Sequence, residues 1–134
     1  MAKANVIIIG SGKLGSSIAK QLCKKGENVL IIDRNENKLE ALEDYSGFVV
    51  NGDATDLALL EENGIKTAKT VVLATNDDNT NLYLTDLCHT IYHTPRIFIR
   101  LADSRKAVMC DYPEVKTILP FDLSMASFDE TYSK

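Results

Sequence analysis

A chain of 134 residues, 45% hydrophobic and 25% charged, has the make-up of an ordinary soluble domain with a single core, which excludes a disordered segment. Its formal net charge of -4 and pI near 5.1 argue against nucleic acid as the main partner, because phosphate backbones demand a basic surface. Cys23, Cys88 and Cys110 form no CxxC pair, so they indicate neither a disulfide framework nor a zinc site and suit a reducing cytoplasm.

Residues 6–9 are an apolar run too short for a signal peptide, and no window approaches the roughly 18 apolar residues of a membrane span. Action at a membrane is therefore expected through a partner. The run reads as a strand, followed by the turn Gly10-Ser11-Gly12-Lys13-Leu14-Gly15, an amphipathic helix to Lys25, a stop at Gly26, and a second strand over 28–32 closed by Asp33. A Gly-x-Gly-x-x-Gly spacing alone is weak, since glycines placed only for packing produce it. Here the strand, the helix and an acid eighteen residues beyond Gly15 supply the setting of a dinucleotide crevice. Gly10 permits a sharp turn, Gly12 lets backbone N-H groups approach a pyrophosphate, and Gly15 lets the helix pack on the strand. A phosphate there meets the positive end of a helix dipole. Asp33 is placed to accept hydrogen bonds from ribose hydroxyls.

In the first helix Leu14, Ile18 and Leu22 recur at four-residue spacing with Ala19 and Cys23 beside them, which predicts one face buried on the sheet. Residues 35–44 read as a short crossover helix and 48–50 as a third strand, placed beyond the second by right-handed crossovers. That strand runs into Asn51-Gly52-Asp53-Ala54-Thr55 at a carboxyl end of the sheet, where open parallel sheets hold ligands. Two roles are open for Asp53 and Thr55: contact with adenine, or N-cap of a helix over 56–63.

Residues 70–74 are an apolar run expected of a strand buried on both faces. Its polar exit, Thr75-Asn76-Asp77-Asp78, offers two candidate caps, Asp77 and Asp78, for a helix with Leu84, Leu87, Cys88 and Ile91 on one face. His89 and His93 share a chelating spacing, but with no carboxylate paired to them they read as a solvated helix end. Residues 96–102 form a fifth strand, in which Arg100 must be paired or face the cleft. Asp103-Ser104 caps a short helix through 109, and 116–119 make a sixth strand. The apolar Phe121, Leu123, Met125, Ala126 and Phe128 then either dock on their own sheet or begin an element shared with a partner.

Taken together, "NVIIIGSGKLGSSIAKQL", "IDRN", "GDAT", "VVLATNDDNTNL", "IFIRLAD" and "VKTILP" resemble the nucleotide-binding N-terminal lobe of the RCK family, also called TrkA-N or KTN. The resemblance spans almost the whole chain, as one domain over 1–134 with 121–134 the candidate start of a dimer crossover element. It implies a six-stranded doubly wound parallel Rossmann sheet of order 3-2-1-4-5-6 with helices on both faces. It also implies a ligand, NAD, NADH, ATP, ADP or AMP, and a cytoplasmic homodimer, or ring of dimers, that regulates a membrane-embedded potassium channel or transporter. Carried over by position, Gly10, Ser11, Gly12, Lys13, Leu14 and Gly15 hold phosphates, and Asp33 and Arg34 meet the ribose. Asp53, Ala54 and Thr55 lie on the adenine side, and Thr75 and Asn76 near the ligand's far end with Arg100 behind them. Lys13 departs from a common arginine and gives a point charge in place of a fork. Pro120-Phe121-Asp122 replaces a common Pro-Glu, and the family's usual second lobe is not among these residues.

The rival reading is a small NAD-dependent oxidoreductase. It lacks a substrate domain and an acid-base pair at the crevice. Tyr112 and Lys116 have the spacing of a dehydrogenase pair, but Pro113 between them breaks the helix that such a pair needs. A structural adaptor without ligand is the third reading, against which stand the intact glycines and Asp33. Neither a catalytic residue nor a metal ligand is assigned.

Overall fold

The central apolar runs of the sequence become strands covered on both faces, whereas the runs at the two edges stay partly open to solvent. In the computed structural model, which describes residues 4–134, the strands are β1 (Val6–Ile9), β2 (Val29–Asp33), β3 (Phe48–Asn51), β4 (Thr70–Leu73), β5 (Arg96–Arg100) and β6 (Val115–Ile118). They form one sheet of order β3-β2-β1-β4-β5-β6, parallel throughout, as expected. The helices are α1 (Lys13–Lys24), α2 (Glu36–Glu40), α3 (Leu57–Glu62), α4 (Asp78–Thr90) and α5 (Pro120–Tyr132), with a 3-10 helix at Ser104–Cys110.

Alternation along the strands divides the core in two. Ile7, Ile9, Leu30, Ile32, Val71, Leu73, Ile97 and Ile99 pack with Leu60 of α3 and Leu84 and Cys88 of α4. Val6, Ile8, Val29, Ile31 and Val72 pack with Ala19 of α1 and with Leu39. Burial raises the Cys88 thiol pKa to about 11, which suits an inert packing role. Ile9 pairs in register with both Ile32 and Leu73, so β1, β2 and β4 end level and open one crevice.

Several elements differ in detail from the expectation. The fully seated residues of α1 are the small Gly15 and Ala19, while Leu14, Ile18 and Leu22 are only half-buried. Backbones that approach closely leave no room for large side chains along the contact line. The crossover helix stops at Glu40, shorter than the helix formers suggested; Leu39 is its one buried residue, and Leu42, beyond its end, packs only partly buried against the same cluster. The cap of α3 is Asp56, whose Oδ1 accepts the Ala58 N-H at 3.0 Å, and neither Asp53 nor Thr55. Asp77 caps α4 by accepting the Thr80 N-H. No residue of α5 is buried, so the tail does not dock on its own sheet. Phe121, Leu123, Met125, Phe128 and Tyr132 are exposed along it. No helix among the described residues is long and apolar enough to cross a membrane.

Candidate functional site

The level carboxyl ends of β1, β2 and β4, with the turn after β3, enclose a crevice of about 490 Å³, within the range of small-ligand pockets. Its first wall is the glycine turn. Gly10 adopts φ +103°, and a Cβ there would come within 2.7 Å of the Ala74 carbonyl oxygen. A Cβ on Gly15 would overlap the Gly10 carbonyl oxygen. Both glycines are therefore required by packing. Gly12 is different, because a Cβ built on it meets nothing within 4 Å. It is the N-cap of α1 and offers no side chain to the helix start, whose first turn contains no acid. The positive end of α1 thus faces the crevice with space before it.

Against this turn stands Asp33, at the end of β2. Its Oδ2 accepts both the Ser11 N-H and the Ser11 hydroxyl at 2.7 Å, and its Oδ1 accepts the Asn35 N-H at 2.7 Å. Burial pushes the carboxyl pKa up, but the bonds from Asn35 and Ser11, with Lys38 nearby, outweigh it and hold the group below its ordinary value. Asp33 is an anion that already ties the glycine turn to β2.

The third wall is the segment after β3. Asp53 folds back on itself, its Oδ1 accepting the Thr55 N-H at 2.9 Å and the Thr55 hydroxyl at 2.7 Å. Those two bonds, with a smaller contribution from Arg34, hold its carboxyl low. The floor is organised by Asn81, a fully buried side chain of α4. Its Oδ1 accepts the Thr75 hydroxyl at 2.6 Å and the Thr75 N-H at 3.2 Å, and its Nδ2 donates to the carbonyls of Thr75 and Arg100. Arg100 donates from Nη1 to the Thr75 carbonyl at 3.1 Å. Asp78, the next acid along, accepts the Ala102 and Asp103 N-H groups and so pins α4 to the exit of β5.

Of the residues singled out by sequence, Gly10, Ser11, Gly12, Asp33 and Arg34 line the crevice, as do Asp53, Ala54, Thr55, Thr75 and Asn76. Lys13, Leu14, Gly15 and Arg100 do not line it; Arg100 braces the Thr75 carbonyl from behind. Sequence reasoning missed Asn35, Lys38, Ala74 and Thr80, which also line it. Lys38 had a readable signal, one helical turn beyond an N-cap that follows Asp33. The structuring role of Asn81 had none, because an asparagine inside an amphipathic pattern looks like a surface residue.

The reading of His89 as a solvated helix end without a carboxylate is corrected. Its Nδ1 lies 2.8 Å from Glu114 Oε2, and its ring stacks on Tyr112 at 3.6 Å. Glu114 immediately precedes β6, too far along the chain for spacing to reveal the pair. Among the described residues, no group of three or more His, Cys, Asp or Glu is arranged to hold a metal ion.

Comparison with known proteins gives this geometry a family. Residues 6–116 match the TrkA-N domain. The chain belongs to the TrkA-N family. Among its TrkA-N relatives, a Trk system potassium uptake protein TrkA homolog of Pyrococcus horikoshii is 31% identical over 126 residues, 92% of this chain and 54% of the relative. A Trk system potassium uptake protein TrkA of Vibrio alginolyticus is 34% identical over 97 residues, 72% of this chain and 21% of the relative. The chain thus spans about half, or less, of the length of these curated relatives. Among solved structures, the GsuK channel bound to NAD superimposes with a TM-score of 0.81 at 28% identity, over 92% of this chain and 22% of that one.

Proposed function

We propose that this TrkA-N chain is the ligand-sensing regulatory domain of a potassium channel or uptake transporter, and that its ligand is NAD, NADH or an adenine nucleotide such as ATP, ADP or AMP. The observation that carries the reading is that the open, uncapped start of α1 at Gly12 and the Asp33 carboxylate line one crevice. The first suits a phosphate and the second a ribose. The residues fit the group: only at Gly12 does the turn leave space where a side chain would stand. The backbone of Gly10 to Gly15 would hold the phosphates and Asp33 the ribose. Arg34 and the 53–55 turn would flank adenine, and Thr75 and Asn76 the far end.

A sensing role, and no catalysis, is favoured by how the crevice polar groups are used. Thr75 is engaged by Asn81 and Asp77 caps α4, so neither is poised as an acid or base. The exposed apolar side chains of α5 form a surface suited to a second copy, as a homodimer or ring of dimers on the cytoplasmic side of its membrane partner. Nucleotide binding would then shift an equilibrium between two arrangements of that assembly, which the partner reads.

Thermal shift with NAD, NADH, AMP, ADP and ATP, followed by sedimentation with the best ligand, tests this. Stabilisation by at least one nucleotide, and a dimer or larger species, are expected. No shift with any of them would overturn the reading of the crevice, and a strict monomer would overturn the assembly.

A further inference from the structure

The Asp33 carboxylate has about four acceptor positions, two on each oxygen. Three are taken: Oδ2 by the Ser11 N-H and hydroxyl, Oδ1 by the Asn35 N-H. Two of these donors are backbone groups fixed by the glycine turn and by the start of α2. The third is a hydroxyl on one rotatable bond, which can swing between staggered wells without moving the chain. Ser11 is also nearly buried, at 6% exposure, so its hydroxyl is held against the carboxylate inside the crevice wall.

A ribose carries two neighbouring hydroxyls, and the described residues leave Asp33 one acceptor position that they do not use. We infer that the Ser11 hydroxyl is an internal stand-in for one ribose hydroxyl, released when the second hydroxyl arrives, and that Ser11 sets how strongly the site distinguishes a ribose from a deoxyribose. The inference rests on the nucleotide reading of the crevice and assigns Ser11 a role beyond holding phosphate. In the wild type the second ribose hydroxyl gains one bond while the protein loses another, so that hydroxyl adds little net affinity. Removing the Ser11 hydroxyl ends the exchange and lets the ribose gain the whole bond. The backbone N-H of residue 11 still holds the turn to Asp33, so the architecture of the site is retained.

The test is calorimetric titration of wild type and Ser11→Ala with AMP, 2'-deoxy-AMP and 3'-deoxy-AMP. Ser11→Gly serves as a second hydroxyl-free variant should alanine perturb folding, and melting curves check both. For at least one deoxy nucleotide, the affinity lost relative to AMP should be small in the wild type and about three- to tenfold larger in the variants. AMP itself should bind the variants at least as tightly as the wild type. Unchanged deoxy-to-ribo ratios, or variants that bind AMP more weakly than wild type, would overturn the inference while leaving the nucleotide reading intact. Failure of the wild type to bind AMP would overturn the inference, and the nucleotide reading falls with it only if NAD, NADH, ADP and ATP fail to bind as well.

Discussion

Asn81 holds Thr75 at three points at once, accepting its hydroxyl and N-H and donating to its carbonyl. A second bond from Nδ2 to the Arg100 carbonyl, 2.9 Å long, ties the exit of β4 to that of β5 through one buried amide. Replacing it by leucine leaves the Thr75 N-H and the Arg100 carbonyl without this partner in the interior. Asn81→Leu should cost about 2–3 kcal/mol of stability by chemical denaturation, and a loss below about 0.5 kcal/mol would show that the amide does not organise the floor.

The two glycines that bracket the start of α1 should behave oppositely. Gly15→Ala drives a methyl group into the Gly10 carbonyl and should destabilise the domain by about 2–3 kcal/mol. Gly12→Ala meets open space and should leave stability within about 0.5 kcal/mol, while lowering nucleotide affinity about tenfold or more because the methyl occupies the approach of the phosphate. Denaturation and titration of both variants separate packing from binding. Equal stability losses would refute the distinction.

That contrast marks where the sequence stops being informative. The strand order was legible because each strand is a short apolar run and each connection a helix, so right-handed crossovers leave few topologies. The glycine turn and Asp33 were legible because a strand, a helix and an acid surround the glycines in the order that a dinucleotide crevice needs. Side-chain bonding within the site was not. Ser11 and Asp33 lie 22 residues apart, His89 and Glu114 lie 25 apart, and no local periodicity couples such positions. The exposure of α5 was also hidden, since an apolar stripe reads the same whether its cover is its own sheet or another chain.

Stability should fall with acid in a way that Asp33 controls. Its folded-state pKa is below its ordinary value, so its contribution is complete above the unfolded value of about 3.9 and is lost as pH drops through the folded one. The stability advantage of wild type over Asp33→Asn should be constant from about pH 5 to 7 and shrink below about pH 4. A difference that stays flat into acid would show that the ionised carboxylate does not hold Ser11 and Asn35.

The crevice should catalyse no hydride transfer. Incubation with NADH and a panel of aldehydes and ketones should leave the nicotinamide absorbance unchanged over hours. Reproducible protein-dependent oxidation would replace the sensor with an oxidoreductase.

The central claim, that Asp33 holds the ribose of an adenine nucleotide, is tested most directly by calorimetric titration of wild type and Asp33→Ala with NADH and NADPH. A 2'-phosphate would set negative charge against the carboxylate, and Arg34 beside it offsets this only in part. Wild type should prefer NADH. Asp33→Ala should bind NADH about tenfold or more weakly, roughly 1.4 kcal/mol, with its preference over NADPH narrowed. A wild type that prefers NADPH, or a variant with unchanged NADH affinity, would contradict the claim.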